Sequence, residues 1–240
     1  PPDMKVFRGM GKAIKDFDMI REGDRILIGI SGGKDSLSLL HFLLHLQRKS
    51  PVKFHIGCAT VDPMNEAFDP SPLKKYIPSL GVPYFFETQN VFDRASKYLS
   101  QQRPSICAFC SRMRRGILYA AARREGYNVL ALAQHADDLV ESFMMSIMHN
   151  GLLRTMKANY VEGSGDVRII RPLVYVREKE LRRYADVACL PVIEDNCPAC
   201  YEEPKERRRM KKLIASQEAL FPDVVSNLIQ AMTPLIANGP

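Results

Sequence analysis

The sequence predicts an α/β protein built on a doubly wound parallel sheet, with a short N-terminal helix and further helices at the C-terminal end. Three observations support this fold class. Short apolar runs typical of strands alternate along the chain with segments of helical periodicity. The first apolar run ends in a glycine-containing turn that leads directly into a helix, and beyond about residue 176 only helical patterns remain. Strands that alternate with helices favour a parallel sheet covered on both faces.

Five apolar runs are predicted to be the strands of this sheet. Each run is short and is followed along the chain by a helical pattern, as expected for a parallel sheet. The segment 162–166 (EGSGD) is dominated by glycine and serine and is predicted to be a turn or loop. The predicted strands comprise residues 25–30, 53–61, 82–88, 128–134 and 167–174.

The predicted helices connect these strands and continue beyond the last of them. The first extends from the N-terminus to about Phe17, and Gly81 and Gly126 supply stop signals for two of the others. A Phe221-Pro222 pair separates the final two helices. The remaining predicted helices comprise residues 36–48, 70–81, 91–102, 107–126, 137–150, 178–188, 204–216 and 221–236.

Composition and charge limit the classes of protein to which the chain can belong. Its 240 residues suffice for one core with a small appendage, and 46% hydrophobic with 25% charged residues is typical of a soluble globular protein. No apolar stretch is long enough to cross a bilayer, and the N-terminus shows no signal-peptide core. We therefore expect a cytoplasmic protein that does not contact a membrane.

The balance of charge favours a polyanionic partner. Lys and Arg together number 34, against 27 for Asp and Glu, and the sequence pI is about 9.1. Such an excess suits a nucleic acid, although a merely basic enzyme fits the charge equally well.

The turn after the first predicted strand has the features of an anion site. It reads SGGKDS over residues 31–36. Gly32 and Gly33 carry no side chains, so backbone N–H groups can turn toward an anion, and the following helix adds the positive end of its dipole. The carboxyl end of a strand is also where open α/β sheets bind ligands. The stretch matches neither a Walker A loop nor a GxGxxG motif.

Two CxxC pairs among the six cysteines indicate a metal site. Cys107 and Cys110 begin a predicted helix, where their spacing places both thiols on one face. Cys197 and Cys200 follow the last helix of the sheet region. Spacing alone favours a four-thiolate structural zinc site, and it leaves open a three-thiolate iron–sulfur cluster or a disulfide. The two other cysteines are predicted to be buried packing residues: Cys58 and Cys189.

The SGGKDS loop resembles the PP-loop of the N-type ATP pyrophosphatases. That resemblance implies a scaffold of the adenine nucleotide alpha hydrolase type, on which ATP lies across the strand ends. It also implies adenylation of a substrate oxygen with release of pyrophosphate. The ATP-binding residues implied are Ser31, Gly32, Gly33, Lys34, Asp35, Ser36, Thr60, Val61, Asp62, Leu132, Ala133 and Asp137.

Four further segments resemble the tRNA 2-thiocytidine synthetase family. They are CAFCSRMRRGILY, AQHADD, RPLVYVREKEL and PACYEEPKERR, and the likeness runs from about Lys12 to Ile236. The related tRNA 2-thiouridine synthetases share the loop and the cysteines but carry zinc fingers at both ends, for which this sequence has no counterpart. The chain departs from the family at Ala133-Gln134-His135, where Gly-His-His is commoner.

The resemblance assigns the cysteines to a 4Fe–4S cluster held by three ligands. The matching residues are Cys107, Cys110 and Cys200, with Cys197 spare or a fourth ligand. Three ligands leave one iron open to sulfur, beside an ATP that activates the pyrimidine oxygen. The implied reaction is 2-thiolation of cytidine 32 in the tRNA anticodon loop, with sulfur from a cysteine desulfurase or free sulfide. A homodimer is a further expectation.

Several charged residues are candidates for roles in this chemistry. Asp137 is expected to act in catalysis and Asp138 to contact Mg²⁺, although both fit helix capping, while His135 orients carboxylates or is structural. Arg114 lies one turn beyond Cys110 and is expected to stabilise phosphates, whereas Arg112 and Arg115 are expected to point elsewhere. The expected tRNA contacts, which are otherwise solvated helix faces, are Arg115, Arg154, Lys157, Arg207, Arg208 and Arg209.

These assignments divide the chain into three parts and leave two rival functions. The parts are an N-terminal helical extension (1–22), a PP-loop ATP-binding α/β domain (23–176) and a helical C-terminal region (177–240) that carries the third cluster cysteine. One rival is a PP-loop ligase or amidotransferase with a structural zinc site, for which the CxxC pairs have no catalytic use. The other is a non-enzymatic nucleic-acid-binding zinc protein, which needs no intact loop.

Overall fold

The computed structural model describes residues 4–62, 64, 68–89, 106–193 and 206–237, the side chains of 106–108 excepted. Within these residues the strands form one six-stranded sheet in the order β3-β2-β1-β4-β6-β5. All neighbours are parallel except β5 and β6, which are antiparallel. The strands are β1 (Arg25–Gly29), β2 (His55–Asp62), β3 (Tyr84–Thr88), β4 (Val129–Ala131), β5 (Asn159–Val161) and β6 (Arg168–Ile170).

Eight helices accompany the sheet in the described part of the chain. The doubly wound α/β fold class predicted from the sequence is therefore confirmed. The helices are α1 (Met4–Asp16), α2 (Lys34–Lys49), α3 (Ser71–Ser79), α4 (Ile106–Arg124), α5 (Ala136–Asn150), α6 (Glu178–Val187), α7 (Glu206–Leu220) and α8 (Val224–Ile236). The predicted helix at 91–102 lies outside the described residues.

Alternating residues of β1 face two different hydrophobic clusters, which shows that both faces of the sheet are covered. Ile26 and Ile28 belong to the larger cluster together with residues of α1, α2 and α5. Leu27 belongs to the smaller cluster, where it meets Leu118 and Ala121 of α4. Complete burial of a strand on both faces is typical of parallel sheets. Since α1 contributes buried side chains to the larger cluster, the N-terminal helix is part of the main core.

The sequence pattern missed β5 and overestimated two strands. β5 has only three residues at the sheet edge, and this segment lacks the apolar run that a central strand shows. Turn 162–166 joins β5 to β6 as expected, closed by a bond from Glu162 N–H to the Val167 carbonyl (2.8 Å). The strands predicted at 128–134 and 167–174 end at Ala131 and Ile170, where the chain leaves the sheet for the site described below.

One cysteine prediction is confirmed and one is wrong. Cys58 is completely buried in β2, and burial raises the pKa of its thiol. Cys189 is exposed, because it follows α6 in a left-handed conformation (φ 48°) at the helix end rather than inside the core.

No single helix within the described ranges is long and apolar enough to span a bilayer. Only α7 and α8 taken together meet the length and composition required, and they meet at a bend of 118°.

The sheet order creates a crevice at its centre. β1 pairs with β2 on one side and with β4 on the other, so the chain after β1 continues toward one edge of the sheet and the chain after β4 toward the opposite edge. Ile28 is in register with both Cys58 and Ala131. The segments that follow β1 and β4 therefore emerge side by side, at the place where doubly wound sheets bind nucleotides.

Candidate active site

The loop between β1 and α2 is held by its own hydroxyl groups. Ser36 Oγ donates to the Gly33 carbonyl (2.9 Å) and accepts from Ser31 N–H (3.2 Å), while Gly33 N–H donates to Ser31 Oγ (3.2 Å). Gly32 has a φ of 89°, which glycine adopts without strain. Gly33 is the N-cap of α2 and has no side chain to cover the first turn. The loop thus leaves the positive end of a 16-residue helix open to an anion.

A cavity of about 390 Å³ opens beside this loop, at the carboxyl ends of β1 and β4. Three arginines and two carboxylates line it, together with hydroxyl and apolar groups. Two of its lining side chains have a buried polar atom without a hydrogen-bond partner in the described part of the chain, Asp35 Oδ1 and Arg114 Nε. The predicted site residues that line the cavity are Ser31, Asp35, Ser36, Val61, Cys110, Arg114, Arg115, Leu132, Ala133, Asp138 and Arg207.

Helix α4 brings a thiol and two guanidinium groups to the opposite wall of this cavity. Cys110 and Arg114 lie one turn apart on the face that the sequence predicts. Arg115 lines the cavity as well, although it was expected to point elsewhere. Ser111, Arg115 and Leu118 form a second row of side chains one position further round the helix, so the face toward the cavity is broader than a single row.

The start of α5 is capped by a histidine. His135 Nδ1 accepts a bond from Asp138 N–H (3.3 Å), and Asp138 Oδ2 accepts one from His135 N–H (3.1 Å). His135 Nε2 also lies 3.8 Å from Asp35 Oδ2 and 3.5 Å from Asp138 Oδ2. The histidine therefore caps the start of the helix, and its ring lies beside two carboxylates next to the loop.

Asp137 faces a different neighbour from Asp138. Its Oδ1 accepts bonds from Arg177 Nε (3.1 Å) and Nη2 (3.0 Å), and its Oδ2 accepts one from Glu178 N–H (2.7 Å). Arg177 also donates to both carboxylate oxygens of Glu218 in α7 (2.9 and 2.8 Å). Asp137 thus joins the starts of α5 and α6, and its catalytic role stays a prediction.

Lys34 of the loop is bound by carboxylates. Its Nζ lies 3.0 Å from Asp35 Oδ2 and 3.1 Å from Glu178 Oε1, at the start of α6. Glu178 also accepts from Lys211 of α7. Burial alone raises the pKa of Glu178, but hydrogen bonds and charge from Lys211 and Lys34 outweigh it and hold that pKa at about 2. The residue is therefore a stable anion that fixes the lysine beside the loop.

A buried glutamate lies next to the same site. Glu141, one turn beyond Asp138 in α5, is only 5% exposed, and its Oε2 lies 3.7 Å from Arg207 Nε. Burial and the neighbouring charge of Asp138 raise the pKa of Glu141 to about 7, against the opposing effect of Arg207 and Lys211. Glu141 lines a smaller cavity next to the loop cavity, together with Asp35, Asp138 and Arg208.

The segment that carries the second CxxC pair is attached at both of its described ends to this site. Ile193 N–H donates to the Gly32 carbonyl (2.9 Å), and Arg207 Nη1 lies 3.6 Å from Asp138 Oδ1. Cys197 and Cys200 themselves lie outside the described residues, and only the backbone of Cys107 is described.

The other predicted residues fall into two groups. The first group does not line the cavity and comprises Gly32, Gly33, Lys34, Thr60, Asp62 and Asp137. Thr60 is fully buried in β2, and Asp62 Oδ1 accepts a hydrogen bond from Met64 N–H (2.8 Å). Arg209 is exposed and pairs with Glu206 one turn back in α7. Arg154 and Lys157 line a separate cavity, which they share with Arg207.

Sequence reasoning missed four residues that organise the site: Glu141, Arg171, Arg177 and Glu178. Three of them stand in the segment RPLVYVREKEL, whose residue pattern alone predicts a strand and a helix and none of these contacts. A lysine on the loop implies a counter-charge nearby, but the partner, Glu178, is 144 residues away and only the fold brings it there.

Comparison with known proteins places the chain in a family. The model of the PP-loop domain matches residues 2–216. A tRNA-cytidine(32) 2-sulfurtransferase from Geobacter sulfurreducens is 37% identical over 230 residues, covering 95% of this chain and 88% of the relative. The enzyme of the same name from Pelobacter propionicus is 38% identical over 237 residues, covering 96% and 87%.

A solved structure supports the fold. The U34-tRNA thiolase NcsA from Methanococcus maripaludis, determined with its 4Fe–4S cluster, superposes with a TM-score of 0.76 at 20% identity, over 95% of this chain and 78% of that one. Given the loop geometry, the match to the PP-loop model and the identity to these relatives over nearly their whole length, the chain belongs to the PP-loop family and, within it, to the tRNA-cytidine(32) 2-sulfurtransferases.

Proposed function

We propose that this protein is an ATP-dependent tRNA sulfurtransferase that replaces the C2 oxygen of cytidine 32 in the anticodon loop with sulfur. The observation that carries the proposal is the position of the Cys110 side chain in the same cavity as the glycine loop. Exchange of oxygen for sulfur needs an activated oxygen and a soft sulfur nucleophile side by side. The names of the relatives supply the nucleoside and its position.

The loop side of the cavity would activate the oxygen. The start of α2 and the hydroxyls of Ser31 and Ser36 suit the phosphates of ATP. Arg114 Nε, which has no hydrogen-bond partner among the described residues, can donate to a phosphate oxygen. Attack of the C2 oxygen on the α-phosphorus forms a new P–O bond, and pyrophosphate leaves with the electrons of the broken P–O bond. Asp35 Oδ1, which also has no partner in the described residues, suits Mg²⁺ on the departing phosphates.

The cysteine side of the cavity suits a 4Fe–4S cluster. Cys107, Cys110 and Cys200 would hold it, with Cys197 as an alternative or fourth ligand. Cys110 lines the same cavity as Arg114, Arg115 and Arg207, so its thiol lies beside the groups expected to bind ATP. With three protein ligands, the cluster would supply sulfur at the sulfide level beside C2, where attack on the carbon would release AMP together with the former C2 oxygen. The residues of α4 then orient both partners, because Cys110 and Arg114 lie on consecutive turns of one rigid helix.

The remaining partners follow from this chemistry. Sulfur would come from a cysteine desulfurase or from free sulfide, and the enzyme would work in the cytoplasm, where its tRNA substrate resides. A base that reacts at C2 must be unpaired or flipped out of a stack, which suits a loop nucleotide.

Nucleoside mass spectrometry tests the proposal. Anaerobically reconstituted protein, given ATP, Mg²⁺, sulfide and unmodified tRNA, should form 2-thiocytidine with stoichiometric AMP and pyrophosphate. The variants Ser36→Ala and Cys110→Ala should each form none, whereas Cys189→Ala, at an exposed position away from the cavity, should behave as the wild type. Formation of 2-thiouridine would assign another nucleoside, and release of ADP would contradict adenylation.

A further inference from the structure

A second cavity, of about 790 Å³, lies beyond the loop cavity, between the end of α5, the following segment 153–157 and the end of α8. We refer to it as the basic groove. Its charged lining residues in the described part of the chain are Arg154, Lys157, Arg171 and Arg207, and no carboxylate accompanies them. Arg207 is paired with Asp138 and Glu141, but Arg154, Lys157 and Arg171 form no ion pair within the described residues, and three such cations in one concave surface attract a polyanion.

Arg171, at the base of the groove, is the least expected of these cations. It is 2% exposed, yet within the described residues its guanidinium donates to neutral acceptors: Nε to Gln134 Oε1 (2.9 Å) and Nη1 to the Lys157 carbonyl (2.5 Å). The ring of Tyr160 lies 5.4 Å away, centroid to Cζ. No carboxylate of the described residues forms an ion pair with it. Removing a cation from water without a counter-charge is costly, so this arrangement suits an anion that arrives with a ligand.

The basic groove continues the loop cavity. Arg207 lines both cavities, and Gln134 lines the loop cavity while accepting the bond from Arg171. A ligand that reaches into the loop cavity with one group can therefore lie in the basic groove with its neighbouring group. Met145 and Leu153 add apolar surface to the groove, and its volume exceeds what a lone phosphate needs.

We propose that the basic groove binds the sugar–phosphate backbone of the RNA strand next to the reacting nucleotide, with Arg171 and Lys157 contacting a phosphate. This assignment rests on the proposed function, because it names the part of the tRNA that the groove holds. Phosphate contacts of this kind fix the register of the strand without reading its sequence. They would hold the target base over the glycine loop and Cys110.

RNA binding measured by fluorescence anisotropy, with a labelled anticodon stem-loop at several salt concentrations, tests the groove. Lys157→Ala and Arg171→Gln should each weaken binding by about tenfold or more, or about 1.4 kcal/mol at the least, since each removes a charge-assisted contact to a phosphate. Each should also lower the salt slope by about one. The matched control is Lys49→Ala, an exposed lysine at the far end of α2, which should bind as the wild type. Thermal unfolding without RNA shows whether Arg171→Gln is folded, and Lys157→Ala decides the question if it is not.

The outcomes separate this inference from the proposed function. If the groove variants bind the stem-loop as tightly as Lys49→Ala does, and the protein still forms 2-thiocytidine, the assignment of the basic groove to the RNA backbone is wrong and the proposed function stands. Weakened binding in a protein that thiolates no tRNA supports the groove and overturns the function. Stabilisation by inorganic phosphate that Lys157→Ala abolishes, with unchanged RNA affinity, would identify a site for a free anion and overturn the inference.

Discussion

Lys34 Nζ of the glycine loop lies 3.1 Å from Glu178 Oε1 at the start of α6, 144 residues further along the chain. The loop lysine is thus neutralised by a carboxylate before any phosphate arrives. Asp137 holds the backbone of Glu178, and Lys211 of α7 binds its side chain, so the carboxylate has a fixed position. The charge available to ATP depends on how readily Lys34 leaves this partner.

Replacement of Glu178 by glutamine should therefore tighten ATP binding. The change removes a negative charge that competes with phosphate for Lys34, and a partly exposed ion pair contributes up to about 1 kcal/mol, or roughly fivefold in affinity. Isothermal titration with a non-hydrolysable ATP analogue measures the effect. The control Glu125→Gln removes a glutamate that pairs with Arg124, a residue that does not line the loop cavity. Weaker binding in Glu178→Gln would show that the carboxylate positions the lysine instead of competing for it.

Glu141 should make the protein less stable as the pH rises through neutrality. Its folded-state pKa of about 7 lies above the ordinary value, so the folded state binds more protons than the unfolded state between about pH 4.5 and 7. Stability contributed by the protonated carboxyl is lost over that range. Glu141→Gln stays neutral at every pH. At pH 8 its free energy of unfolding in urea should exceed that of the wild type by up to about 3 kcal/mol, whereas at pH 4 the two values should agree. The same difference in unfolding free energy between the two proteins at pH 4 and pH 8 would count against a buried, protonated Glu141.

Gly32→Ala should destabilise the fold as well as impair the loop. A φ of 89° is strained for alanine, and a Cβ at this position would lie 3.2 Å from Ile193. The expected loss is about 1–2 kcal/mol of unfolding free energy, measured by urea denaturation. Gly116→Ala is the matched control: Gly116 lies inside α4 with open space around its Cβ position, and alanine there should stabilise by up to about 1 kcal/mol. Equal effects at both positions would contradict the strain at Gly32.

The cysteines should differ in their effect on bound iron. Cys107→Ala, Cys110→Ala and Cys200→Ala should each lose the cluster, while Cys197→Ala keeps most of it, as judged by iron and acid-labile sulfide content after anaerobic purification. Cys58→Ser is unsuitable as a control because Cys58 is buried in β2, so the exposed Cys189 serves instead. Stoichiometric zinc without acid-labile sulfide would contradict the cluster and indicate a structural zinc site.

The sequence predicts the parts of this protein that depend on local pattern and not those that depend on pairing across the fold. Strand β1, the SGGKDS turn and α2 follow one another in the chain, and a glycine at position 32 indicates a backbone with positive φ. Cys110 and Arg114 could be placed on one face because a helix repeats every turn. The partners of Lys34 and Asp137 could not be found, since Glu178 and Arg177 reach them only when β6 pairs with β4.

The edge strand β5 has a consequence for self-association. An exposed sheet edge is a template for pairing with another chain, and proteins limit this hazard with very short edge strands. β5 has three residues, and the hairpin that joins it to β6 is tied back to α4 by Arg123, which bonds to both Glu162 and Asp166. Continuation of the sheet into a neighbouring molecule at this edge would gain few backbone hydrogen bonds. Concentrated solutions of the protein should therefore resist growth of intermolecular β-structure from this side of the sheet.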